Sequence, residues 1–232
     1  MNRVKILVGS AAVILLAGAG MWLWYRGFIG GDPKLLRSIQ DKPELVALFK
    51  KAKADEKEIT KKPEDAARYI DAGLQWKSVA ELASVNQSAF FWRSLSVYER
   101  GIERFGQKNI LFYLNAGKIA ERVNELSKAE RYYKKAIEIS PGDESGYLYL
   151  VDLYYYQFHK EPKDILPIFD QGLKALMNPT LLIAGRATYL RRIGDSAAAL
   201  KDYQELVKIF PQAAGYRQIV QELTQKLKAG GK

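Results

Sequence analysis

His159 is the only histidine in a chain of 232 residues, and histidine is the residue most often used as a general acid or base. It sits in the run His159-Lys160-Glu161-Pro162, whose charges and proline read as a turn between helices. A surface histidine is the simpler reading, because no reactive constellation surrounds it. Cysteine is absent, which excludes thiolate zinc sites, iron–sulfur clusters, disulfides and a thiol nucleophile, while a lone imidazole excludes multi-histidine metal sites. No Gly-x-Ser-x-Gly elbow, phosphate-binding P-loop or dinucleotide glycine fingerprint occurs. Asp55 and Glu58 are paired acids at the spacing of a helix surface, and Asn86-Gln87-Ser88 is a glycosylation triplet of a kind that arises often by chance. The expectation is therefore no enzyme, no cofactor and no metal. What remains is recognition chemistry, carried by arginine, lysine and tyrosine.

Those side chains are abundant. Lysine and arginine number 36 against 26 acids, a formal charge of +10, and tyrosines number 14. Lys50, Lys51, Lys53, Lys57, Lys61 and Lys62 form one basic cluster. Attraction to anionic lipid headgroups accounts for it more simply than nucleic acid, since neither an RNA-binding aromatic signature nor a helix-turn-helix placement stands out.

The elements that must position these groups begin with residues 6–25, an apolar stretch without a charge. As a helix it would reach roughly 30 Å, the thickness of a hydrocarbon core. Trp22, Trp24 and Tyr25 stand at its far end, where aromatic rings prefer the headgroup level, and Arg26 follows. Residues 1–26 are expected to form a single transmembrane anchor. A cleaved signal ending near Ala17-Gly18-Ala19 is the rival reading. Small residues at Gly9, Ala12, Ala17, Gly18, Ala19 and Gly20 would let a neighbouring membrane helix approach. Arg3 and Lys5 give a small bias toward a cytoplasmic start, so the expected location is a bacterial inner membrane with most of the chain in the periplasm. Residues 27–65 read as a glycine-rich hinge followed by a charged helical stalk or packing segment. Asp32-Pro33 supplies a helix start, and Pro43 divides the segment into two short helices.

From residue 66 onward the chain repeats itself. The stretch 110–143 places Tyr113, Ala116, Gly117 and Ala120 on a first helix. Ala129, Tyr133, Ala136 and Pro141 lie on or just after a second. Ser127 and Glu130 have capping-box spacing at the start of that second helix. This resembles the tetratricopeptide repeat (TPR), a 34-residue helix–turn–helix unit. Residues 180–213 fit again, with Ala187, Leu190, Ala199, Tyr203 and Pro211, although Arg186 stands where the family usually has leucine. Residues 144–179 fit with two extra residues, placed around Pro162. A longer unit at 66–109 carries Tyr69, Gly73 and Trp76 on one helix and Tyr98, Gly101 and Ile102 on the next. Residues 214–228 form a solitary amphipathic helix suited to capping the array through Ile219, Val220, Leu223 and Leu227. The expected fold is all-α: an anchor, then a right-handed TPR-like solenoid over 66–232.

The resemblance implies a protein-binding groove lined by first helices. Its positions in this sequence are Lys118, Glu121 and Arg122, then Asp152, Tyr155 and Tyr156, then Thr188, Arg191 and Arg192. Arginine with tyrosine suits carboxylates, amides and extended peptides. The set of lysines and asparagines that grips chaperone tails in one TPR subclass is not reproduced: Asn115 matches, but Leu114 and Lys118 do not. The expected function is a membrane-anchored scaffold holding proteins of a bacterial envelope complex, serving secretion, pili or motility, polysaccharide export or cytochrome maturation. The alternative is a cytosol-facing receptor that captures polypeptides for a translocon.

Overall fold

A computed structural model describes residues 32–230, and among them eleven α-helices follow one another without a strand. The expected span at 6–25, with Gly9, Ala12, Ala17, Gly18, Ala19 and Gly20, lies outside the described residues. No described helix is long and apolar enough to cross a membrane. The chain divides into two compact units between Val97 and Tyr98.

The first unit holds α1 (Asp32–Arg37), α2 (Pro43–Lys61), α3 (Ala66–Leu82) and the start of α4 (Gln87–Phe105). Pro43 opens α2, where its missing N–H costs nothing. The charged segment is a packed element, because Leu45, Phe49, Ala52 and Ile59 are buried on one stripe. Phe49 meets Trp76 edge-on at 5.3 Å between ring centroids, and Trp76 stacks on Phe90 at 6.3 Å. Asp65 caps α3 by accepting from the Ala67 amide. At Gly73 the helices come close enough for the buried Ser94 hydroxyl to donate to the Gly73 carbonyl at 2.8 Å. Asp32 ties α1 down through Lys53 at 2.7 Å and through Arg93.

The second unit begins within α4 and continues through α5 (Leu111–Arg122), α6 (Leu126–Ile139), α7 (Glu144–Asp152), α8 (Pro162–Ala175), α9 (Thr180–Arg192), α10 (Ser196–Ile209) and α11 (Ala214–Gly230). Small residues sit where large ones from the next helix arrive. A Cβ on Gly117 would lie 2.3 Å from the Tyr133 ring, and one on Gly172 would lie 2.4 Å from Leu182. Ala129, Tyr133, Ala136, Ala187, Ala199 and Tyr203 are all buried. Tyr216, Ile219, Val220 and Leu223 of α11 cover the last apolar face, whereas Leu227 of the expected stripe is exposed.

Two local expectations need correction. Ser127 does not cap α6: the helix starts at Leu126 after Glu125, no side-chain cap bond forms, and Ser127 is exposed in the first turn. Glu130 instead accepts from Lys134 and from the Tyr154 hydroxyl. The insertion in 144–179 is shared: a π-helical turn at Leu153–Gln157 extends α7, and the turn at 158–161, just before Pro162 opens α8, is one residue longer than those at 123–125 and 193–195.

One backbone feature recurs at every junction between the first and second helix of a pair. Asn86 (φ 56), Asn124 (φ 62), His159 (φ 50) and Gly194 (φ 87) each take the left-handed conformation. Asparagine, histidine and glycine enter that region more readily than most residues. His159 thus shapes a turn.

Candidate partner-binding groove

The first helices α5, α7 and α9 present the residues singled out for recognition. Lys118 on α5 reaches to α7, where its ammonium lies 3.8 Å from the centroid of the Tyr149 ring, within cation–π range. Glu121, one turn on, accepts the Tyr133 hydroxyl. Burial, reinforced by that carboxylate, drives the Tyr133 phenol above its ordinary pKa, so it stays a donor. Tyr133 and Tyr149 are themselves 5.5 Å apart.

Three residues after Tyr149 comes Asp152. Asp152 is exposed at the surface, yet the protein around its carboxylate desolvates it enough to raise its pKa against the pull of Lys118 and Arg192. Neither cation is ion-paired to it or to another described carboxylate. The π-helical turn then carries Tyr155 and Tyr156, whose rings meet edge-on at 4.9 Å. Adjacent residues of an α-helix do not share a face; here both rings reach one guanidinium. Arg192 of α9 lies 5.3 Å from the Tyr155 centroid and 5.2 Å from that of Tyr156, and donates to the Tyr156 hydroxyl. π turns of this kind are frequent at functional sites.

Lys118, Glu121, Asp152, Tyr155, Tyr156 and Arg192 are therefore connected through shared partners. Thr188 and Arg191 are not part of that cluster. Arg122 is exposed in the last turn of α5. Thr188 bonds back to the Ala184 carbonyl at 2.8 Å and lies 3.4 Å from the Tyr203 hydroxyl, turned toward α10. Arg191 pairs with Glu222 of α11 at 3.5 Å.

Two tyrosines escaped the sequence reading. Tyr149 seats Lys118, and Tyr189, buried, supports Tyr155 edge-on at 5.5 Å while packing on Phe169 at 5.9 Å. Tyr149 stands one helical turn before Asp152, a spacing that could have flagged it. Arg186 at the family's leucine position is also explained. Its guanidinium donates twice to Asp202, at 2.8 and 2.7 Å, and once to Asp170 at 3.1 Å. Asp202 is 4% exposed, so a forked ion pair holds the place of an apolar contact. Among the described residues no group of three or more potential ligands could hold a metal ion.

Residues 111–143, which span α5 and α6, match the family model of the tetratricopeptide repeat. Among solved structures the chain is similar to YrrB, described as a TPR protein with an unusual peptide-binding site. The identity is 20%, the TM-score 0.51, and the match covers 76% of this chain and 85% of that one. No curated protein matches the chain. Residues 111–143 are thus similar to a tetratricopeptide repeat, and the described residues have an all-α, TPR-like solenoid fold.

Proposed function

We propose that this protein is a membrane-anchored TPR scaffold that docks other proteins along α5, α7 and α9 within a bacterial envelope complex, without catalysis of its own. The observation that carries the docking role is the pair Lys118 and Arg192. Both cations rest on tyrosine rings rather than in ion pairs, so a partner's carboxylates or carbonyls can engage them without breaking a salt bridge first. Rigid tyrosines beside them offer contact area at little entropic cost. The peptide-binding site ascribed to YrrB is in keeping with such a use of this fold.

The charge-free stretch 6–25 supports the anchor, and tethering raises the effective concentration of any docked client beside a membrane machine. Secretion, pilus or motility, polysaccharide export and cytochrome maturation are settings of this kind. The test is a carbonate wash of membranes followed by protease on spheroplasts. The chain should stay in the pellet, and the helical repeats should be digested from the periplasmic side. Release by carbonate would refute the anchor. Protection in spheroplasts, with digestion only after lysis, would favour a cytosol-facing receptor instead.

A further inference from the structure

Successive helices of the second unit run antiparallel, so their connections alternate between two ends. The turns at 106–110, 140–143, 176–179 and 210–213 share one end. Contacts between those turns agree: Glu144 at the start of α7 accepts the Leu182 amide at the start of α9, at 2.8 Å. Seven large apolar side chains of this unit are exposed among the described residues, and five of them belong to this end. They are Leu111, Met177, Leu181, Ile209 and Phe210, with Met177 wholly in solvent. Of the other two, Tyr156 is engaged by Arg192 and Leu227 is at the far end of α11. Scattered surface apolar residues need no explanation, but their concentration at one end does.

The charges at the same end suit one kind of cover. Lys108, Lys174 and Lys208 are exposed there, and no described acid pairs with them. Of the acids there, Asp143 caps α7 through the Ser145 amide, Glu144 holds Leu182 and Glu138 pairs with Lys135, while Glu103 is exposed in the last turn of α4. From this arrangement we infer that the end formed by these four turns docks on an anionic lipid surface. Met177, Leu181 and Phe210 enter the headgroup layer and the three lysines meet phosphates, as in interfacial anchors that combine apolar insertion with basic residues. The inference rests on the anchored reading above, because a tethered chain needs only a weak surface contact to stay docked.

The absence of cysteine makes the test clean. The full chain carrying Met177→Cys, or Phe210→Cys, is labelled with an environment-sensitive fluorophore and reconstituted into vesicles of phosphatidylcholine with or without phosphatidylglycerol. Lys160→Cys, in the α7–α8 turn at the opposite end, serves as the reference. With phosphatidylglycerol present, the labels at 177 and 210 should shift to the blue and lose most of their emission to brominated lipid, while the label at 160 should not. Each lysine near an anionic surface contributes about a fivefold affinity factor. The triple reversal Lys108→Glu, Lys174→Glu and Lys208→Glu should therefore reduce the docking equilibrium constant on the order of a hundredfold or more. Equal quenching at 160, no quenching at 177 and 210, or a blue shift that brominated lipid leaves untouched would each overturn the inference; the last would mean that protein covers this end. A chain that fails to float with the vesicles overturns the anchored reading as well, which separates the two failures.

Discussion

Gly117→Ala adds one methyl group where the paired helices of the 110–143 repeat touch. The new Cβ would lie 2.3, 2.8 and 2.9 Å from three atoms of the Tyr133 ring. Carbon atoms do not approach that closely, so the ring must move. Tyr133 is fully buried and its hydroxyl is held by Glu121, leaving it no open space to enter. Overpacking of this kind costs about 1–3 kcal/mol, and the closeness here argues for the upper end. Replacing a helical glycine by alanine returns about 1 kcal/mol of propensity. The net expectation is a loss of about 2 kcal/mol, or roughly 4–8 °C in melting temperature for a protein of this size. Gly215→Ala is the matched control, since its Cβ would meet nothing within 4 Å, and it should be neutral or slightly stabilising. Thermal and urea melts followed by circular dichroism would measure both. Combining Gly117→Ala with Tyr133→Leu should recover part of the loss, giving a coupling of about 1 kcal/mol or more. A Gly117→Ala protein that melts at or above the parent temperature would refute the close-approach argument for this repeat.

Other consequences concern charge and backbone. Arg186→Leu restores the apolar residue usual in the repeat but leaves Asp202 buried without its cation, and should cost roughly 3 kcal/mol; adding Asp202→Leu should return most of it, as urea melts of the single and double variants will show. The Asp152 carboxyl has a raised pKa in the folded state, chiefly because the protein around it desolvates it although it lies at the surface, so its ionisation opposes folding at neutral pH and protonation relieves that. Asp152→Asn should be more stable than the parent at neutral pH, with the difference shrinking as pH falls through the raised carboxyl pKa, measured as urea midpoints across pH. His159→Gly should fold as well as the parent, whereas His159→Ile, which resists positive φ, should lose about 1–2 kcal/mol in the same melts. Charge reversal at Arg192 should weaken capture of a groove partner with an unchanged circular dichroism spectrum, and should do so more than reversal at Arg191, whose guanidinium faces Glu222.

Much of this fold is legible in the sequence because the repeat is written in residue size. Gly117 against Tyr133 marks one close approach, and Ala187 and Ala199 lie in one buried cluster of the last pair. What escaped reading has local causes. The π turn at Leu153–Gln157 adds length without a glycine or proline to announce it, so only the part of the insertion next to Pro162 is legible in the sequence. Ser127 and Glu130 have the spacing of a capping box, but the helix starts before Ser127, leaving that hydroxyl in solvent and Glu130 free to accept Tyr154. Arg186 read as a flaw because its compensating partner, Asp202, is sixteen residues away on the next helix. The groove itself is half visible in the sequence: Tyr155, Tyr156 and Arg192 stand out, but nothing in the sequence alone ties them to Tyr149 and Tyr189 beneath and beside them. Periodicity locates faces, and it does not say which cation rests on which ring.

The claim that this groove holds a client at a membrane is tested most directly by crosslinking in intact membranes. One photoreactive residue replaces Tyr155 and another replaces Ala17, with adducts identified by mass spectrometry. The account predicts one dominant protein adduct at Tyr155, which charge reversal at Arg192 diminishes. Adducts at Ala17 alone, with none at Tyr155, would contradict it and make the chain a subunit held through its apolar segment.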